Sequence, residues 1–257
     1  KYFLVPNFKN FSWMTVVTAM GQMFYSLSIA MGILITFGSY TEKEVSIENS
    51  TENVEVFDTA IAIMAGLMII PAVFAFSNGN MENLNAGPSL MFITIPKVFD
   101  SMGLGTLIGI LFFVLVLFAA LTSSIALTEC AVSTFQDELK WSRHKSVCIL
   151  GVIMLALGSL SSLGYGPLAS IQIIGMQFLD FFDFLTNSVM MPISAICICL
   201  LVSKVIGVDK IAQEVKSHNN PFKREKIFNF MIKYVCPIFA TIILLSSVAN
   251  AFGIIKM

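Results

Sequence analysis

Residues Ala19–Tyr40, AMGQMFYSLSIAMGILITFGSY, are long and apolar enough to cross a membrane, yet they do not read as one uninterrupted helix. Ser26 and Ser28 stand between apolar residues, Gly32 follows, and Gln22 lies one turn earlier. In hydrocarbon every backbone polar group needs an internal partner, so a helix break survives only where protein covers it or where it lines a cavity. Broken helices at mid-membrane hold ions and substrates in transporters. The alternative is that two serines and a glycine simply let helices pack closely. The stretch alone leaves both readings open.

The remainder of the chain has the same character. Of 257 residues, 56% are hydrophobic and 12% charged, where a soluble domain carries about a quarter charged residues. Mean hydropathy is +0.84. This composition implies an all-α polytopic protein of the lipid bilayer. The net charge of −1 favours no charged partner, and no basic patch with interleaved aromatics marks a nucleic-acid surface. His144 and His218 fall in different loops, which argues against a metal cluster. Cys130, Cys148, Cys197, Cys199 and Cys236 sit in or beside apolar runs and read as buried thiols, with Cys197 and Cys199 on different helix faces. The opening KYFLVPNFKNFSW, headed by Lys1, reads as the tail of a loop, so a piece of a longer protein is expected.

Six segments reach the length a transmembrane helix needs: 12–40, 55–78, 104–133, 146–164, 175–203 and 229–255. The loop at 41–54 is acidic, and that at 79–103 contains Gly87-Pro88 and Pro96. The loop at 134–145 is short and mixed, Gly164, Gly166 and Pro167 stop the fourth span, and 204–228 is basic. Lysines and arginines concentrate in loops 41–54, 134–145 and 204–233, while the opposite side holds Lys1, Lys9, Lys97 and Lys256. By the positive-inside rule the first set is cytoplasmic, and both ends of the chain face outward.

Polar residues inside the spans are few. Thr122, Ser123 and Ser124 end an apolar run, and two adjacent hydroxyls with a carbonyl such as that of Ala119 could offer oxygens to a small hard cation. Alternatively they bond back to carbonyls one turn earlier. Asp58 lies near the start of the second span, Glu129 in the third, and Asp180 and Asp183 open the fifth. Acids at membrane depth are costly and mark function by default. At a helix N-terminus they also have a plain interfacial role, favoured by the dipole.

At GQMFYSLSIAMG (21–32), followed by ALTSSIAL (120–127) and the DEL sequence at Asp137–Leu139, the chain resembles the neurotransmitter:sodium symporters, most closely the bacterial amino-acid branch. The resemblance covers nearly the whole chain, from before the sixth family helix through the eleventh, with the first five helices absent. It implies the second half of the inverted-repeat fold of the bacterial leucine transporter: about six transmembrane helices, the first one broken. It further implies substrate-binding roles for Tyr25, Ser26, Ser28, Met31, Ser123 and Leu127. Sodium would be held by Ser26 at one site and by Ala119, Thr122 and Ser123 at a second. Gln22 and Asp183 match the extracellular gate, and Tyr40, Glu129 and Asp137 the cytoplasmic one, both with arginine partners in the absent part. Asp137 has an equal alternative as a solvated acid beside Lys140 and Arg143. Met31 stands where the leucine transporter has Phe. Its adaptable thioether predicts a pocket for large or aromatic side chains.

An ungapped alignment from Ser39-Tyr40 to Pro71 places Asp58 where many members have a sodium-binding Asn. It places Ala62 where animal members have a chloride-site Ser and the leucine transporter has Glu. Asp58 is therefore read as a sodium ligand whose own charge makes chloride unnecessary, with proton countertransport as the other reading. The expectation is a sodium-coupled symporter of a hydrophobic or aromatic amino acid in a bacterial inner membrane, working by alternating access, with sodium ions and no organic cofactor. The piece alone is expected to be inactive, and no covalent chemistry is called for. An intramembrane aspartyl protease using Asp58 and Asp183 is the rival, disfavoured because neither acid has a Gly-rich signature beside it and the two enter from opposite sides.

Overall fold

The first predicted span is two half-helices. In the computed structural model, which describes residues 5, 8, 11–76, 90–217 and 221–251, α1 runs Trp13–Ser26 and α2 runs Ile33–Tyr40. A capping box opens α1: the Thr15 amide donates to Ser12 Oγ and the Ser12 amide to Thr15 Oγ1, both at 3.3 Å. Among the described residues, five further helices are long and apolar enough to cross a membrane. They are α3 (Ile47–Phe76), α5 (Gly105–Leu139), α6 (Arg143–Leu163), α7 (Phe178–Ile206) and α9 (Glu225–Ala251). The short α4 (Ile95–Asp100) and α8 (Val208–Val215) lie in the connections. Gly87-Pro88, residues 77–78 and 252–255 of the predicted spans, His218, Lys1, Lys9 and Lys256 lie outside the described residues.

Two predicted boundaries move furthest. The polar run IENSTENV, expected in a loop, forms the first turns of α3, and FQDEL continues α5 to Leu139. Hydropathy reports the thickness of the bilayer, whereas a helix continues past it as long as its backbone hydrogen bonds do. Ser46 starts α3, its hydroxyl accepting from the Asn49 amide at 3.4 Å. Lys140, at φ 54°, stops α5 in the left-handed conformation. The stop at Gly164 falls as expected, directly after α6.

Three prolines share one local solution. A π-helical turn at Leu90–Thr94 precedes Ile95-Pro96, one at Phe184–Met190 precedes Met191-Pro192, and one at Met231–Val235 precedes Cys236-Pro237. A proline has no amide to donate and its ring crowds the carbonyl four residues back. Widening the preceding turn shifts that carbonyl to a later partner and keeps the helix continuous through the membrane.

The chain forms two compact units, one of Lys1–Phe11 with Asn53–Ile125 and one of Ser12–Glu52 with Ala126–Met257. In the first, Phe99 meets Phe112 edge-on at 5.4 Å, Phe112 meets Phe113 at 5.3 Å, and Phe92 stacks on Phe113 at 6.1 Å. Gly105 lets α5 start against this cluster, because a Cβ there would lie 1.7 Å from the Phe99 carbonyl oxygen. In the second, α7 packs on α9 through buried Met191, Ala195 and Cys199 on one side and Ala240 and Ile243 on the other. Small residues at such a contact bring backbones close, which is how helices gain dispersion energy in lipid. The α1 half-helix joins this pair, with Trp13 stacked on Phe239 at 6.4 Å.

The cysteines depart from expectation. Cys199 is buried, but Cys148 and Cys197 lie on exposed faces. An apolar run in a membrane span has an outer face that only lipid covers, so an apolar neighbourhood in sequence does not imply burial in protein. Cys197 and Cys199 do take different faces.

Candidate ion and substrate site

The break between α1 and α2 is a built feature of the backbone. The Ile29 amide donates to the Phe24 carbonyl at 2.9 Å and the Ser28 amide to the Tyr25 carbonyl at 3.1 Å. This is a Schellman pair, the usual close of a helix with a left-handed residue just past its end. That residue is normally glycine; here it is Ser28 at φ 53°. Ala30 at 64° and Gly32 at 82° are left-handed as well. Each non-glycine in this region costs about 1–2 kcal/mol, so the surrounding packing must hold the break open. Gly32 then caps α2, and its α-carbon faces Cys130 so closely that a Cβ would lie 2.7 Å from the sulfur. Cys130 Sγ also reaches the Met31 carbonyl oxygen, at 3.7 Å. Ser28 and Met31 are half-buried on the break, and Ser26 is exposed at the end of α1.

Beside α1 lies a cleft of about 430 Å³. Gln22 and Tyr25 line it from α1, Asp183, Asn187 and Ser188 from α7, and Ser247 from α9. The Asn187 side-chain amide donates to Asp183 Oδ1 at 2.6 Å, which fixes the carboxylate's direction. Thus the structure brings Gln22, Tyr25 and Asp183 to one cavity.

At the far end of α2, Tyr40 Oη donates to Glu129 Oε1 at 2.9 Å. Arg143 grips the same carboxylate with both guanidinium nitrogens, at 3.0 Å to Oε1 and 2.6 Å to Oε2. A two-pronged guanidinium–carboxylate pair fixes geometry as well as charge. Asp137, also expected at the inner gate, is exposed near the end of α5.

Asp58, Ala119, Thr122 and Ser123 lie in the first unit, and Leu127 lies in the second. Thr122 Oγ1 donates to the carbonyls of Phe118 and Ala119, at 3.0 Å each, and Ser124 Oγ donates to Leu121 at 2.9 Å. The back-bonding alternative is therefore what the Thr122 and Ser124 hydroxyls do here. It does not exclude cation binding, because a hydroxyl that donates its one proton keeps two lone pairs. The bond also sets Thr122 Oγ1 and the Ala119 carbonyl side by side as two neutral oxygens. Asp58 is half-buried on α3, with Ala62 one turn further on the same face.

The model of the sodium:neurotransmitter symporter family matches residues 1–254. The chain belongs to the sodium:neurotransmitter symporter family. Among its relatives, an uncharacterized sodium-dependent transporter of Bacillus subtilis, YhdH, is 30% identical over 257 residues, all of this chain and 55% of that protein. One of Haemophilus influenzae is 30% identical over 247 residues, 96% of this chain and 53% of that protein. The crystal structure of MhsT in complex with L-phenylalanine superposes with a TM-score of 0.81 at 35% identity, covering 92% of this chain and 54% of MhsT. The chain spans about half the length of these symporter relatives, and its fold is the expected half of that transporter architecture.

Three residues beside these candidate positions do not stand out in the sequence. Arg143 reads in the sequence only as a loop cation, yet it is the partner of Glu129. Asn187 had a signal, since it stands four residues after Asp183 and so shares its helix face. Cys130, which walls the glycine of the break, had none, because its position depends on how α5 passes α2.

Proposed function

We propose that this chain supplies one half of the site of a sodium-coupled symporter for a large or aromatic amino acid. The observation that carries the reading is the break at Leu27–Gly32, where the backbone is held in left-handed conformations between two half-helices. Such a break turns carbonyl oxygens and a helix N-terminus away from their usual partners, which suits a sodium ion and an amino-acid carboxylate respectively. In this reading Tyr25, Ser26, Ser28, Met31, Ser123 and Leu127 contact the substrate. Ser26, Asp58, Ala119, Thr122 and Ser123 hold sodium ions. Gln22 and Asp183 belong to the outer gate, and Tyr40, Glu129 and Asp137 to the inner one. Sharing of the substrate carboxylate with sodium couples the two, since each then raises the affinity of the other. Asp58 brings a negative charge to the sodium ligands, so transport proceeds without chloride. Both chain ends face outward, and the chain by itself does not transport.

Uptake of labelled phenylalanine, tryptophan, tyrosine and leucine into proteoliposomes tests this, using a full-length transporter that carries the chain. Sodium outside drives uptake of the aromatic substrates, and the chain alone gives none. Equal uptake in potassium overturns the coupling. A strong loss when gluconate replaces chloride overturns the role of Asp58.

A further inference from the structure

Glu48, in the first turn of α3, is only 8% exposed. A buried carboxylate must find strong partners or lose much of its solvation. Its partners are backbone amides: Lys223 N–H donates to Oε2 and Arg224 N–H to Oε1, each at 3.1 Å. These amides stand immediately before α9, where a helix start leaves donors unsatisfied and concentrates positive potential. No side chain of the segment's own caps α9 at Arg224. Glu48 does so from a position 175 residues away in sequence. Two ion pairs flank the contact on its exposed rim: Arg224 to Glu52 at 3.2 Å, and Lys216, just after α8, to Glu225 at 2.6 Å. Exposed pairs of this kind contribute little by themselves, so the buried carboxylate is the part that holds.

We infer that Glu48 is a two-amide clamp, a positioning residue that makes the α2–α3 turn and the start of α9 one body. Only the turn Thr41–Ser46 separates α2 from α3, so any movement of the inner half of the broken helix is passed through this clamp to α9. The inference does not depend on the identity of the transported solute, and its test involves no transport.

Amide hydrogen exchange of the full chain in lipid nanodiscs reads the clamp directly at Lys223 and Arg224. In E48A both amides exchange about tenfold faster or more, as expected for bonds to a charged acceptor. In E48Q, whose side chain offers one acceptor oxygen and one donor nitrogen, one of the two amides stays protected and the other is lost. A general loosening of the fold would open both alike in E48Q, which separates a clamp from a merely structural residue. E52A leaves both amides protected. Unchanged exchange in E48A, or equal opening in E48Q and E52A, overturns the inference.

Discussion

The two regions proposed to offer oxygens to a cation are built by opposite means. Between Leu27 and Gly32 the chain abandons the helix, with left-handed Ser28 and Ala30 and a Schellman pair closing α1. Between Phe118 and Ser123 the helix is intact, and Thr122 bonds back to carbonyls at positions 118 and 119. The break gains new backbone orientations at a conformational cost. The intact helix costs nothing but can offer only spare lone pairs. The difference teaches that one region depends on backbone conformation and the other on side-chain chemistry, so substitutions should act on them in different ways.

The largest effect is expected at Gly32. Gly32→Ala places a side chain at φ 82° and 2.7 Å from Cys130 Sγ, and should destabilise the protein by about 2 kcal/mol, read as a fall in thermal midpoint in detergent. Cys130→Ala in the same background relieves the contact and not the dihedral, so it restores only part of the loss. Complete rescue would show that the backbone conformation carries no weight. A smaller, purely functional effect is expected in the intact helix. Thr122→Val keeps the shape and removes the hydroxyl oxygen. It should raise the sodium concentration for half-maximal uptake about tenfold, leave the thermal midpoint nearly unchanged, and be reversed by Thr122→Ser.

The smallest effect discriminates most cleanly by sign. Ser28→Gly relieves a left-handed serine and should be neutral or stabilising by about 0.5 kcal/mol after the added entropy of the unfolded chain. Ser124→Gly weakens a straight helix and should cost about 0.5 kcal/mol. Thermal midpoints that shift in the same direction for both would erase the distinction between the regions.

Much of this architecture was legible in the residues. The serine and glycine pattern of Ala19–Tyr40 marked a candidate break that the family resemblance favoured over close packing, and Gly164 located the end of the fourth span, because glycine and small polar residues act on their own local backbone. The π-helical turns ahead of Pro96, Pro192 and Pro237 were not legible, since Pro71 sits in α3 without one and Leu201–Ile206 forms one with no proline after it. Gln22, Tyr25 and Asp183 could be named as site residues, but that they share one cleft depends on α1 lying against α7 and α9. Arg143 on Glu129 and Glu48 on the amides of Lys223 and Arg224 had no signature, since each pairing joins residues that only helix packing brings together.

The sequence by itself determined a polytopic helical protein, a candidate break in its first span, and which hydroxyls and acids lie within the spans. These rest on hydropathy and local backbone preference, which act over a few residues. Only the tertiary structure decided which charge meets which and how the break is held. Cys130 behind the break leaves room only for glycine at 32, Glu129 takes Arg143, and buried Glu48 caps a helix that begins 177 positions later. A buried carboxylate takes whatever donors packing leaves within hydrogen-bond reach, and no local rule in the chain states what those will be.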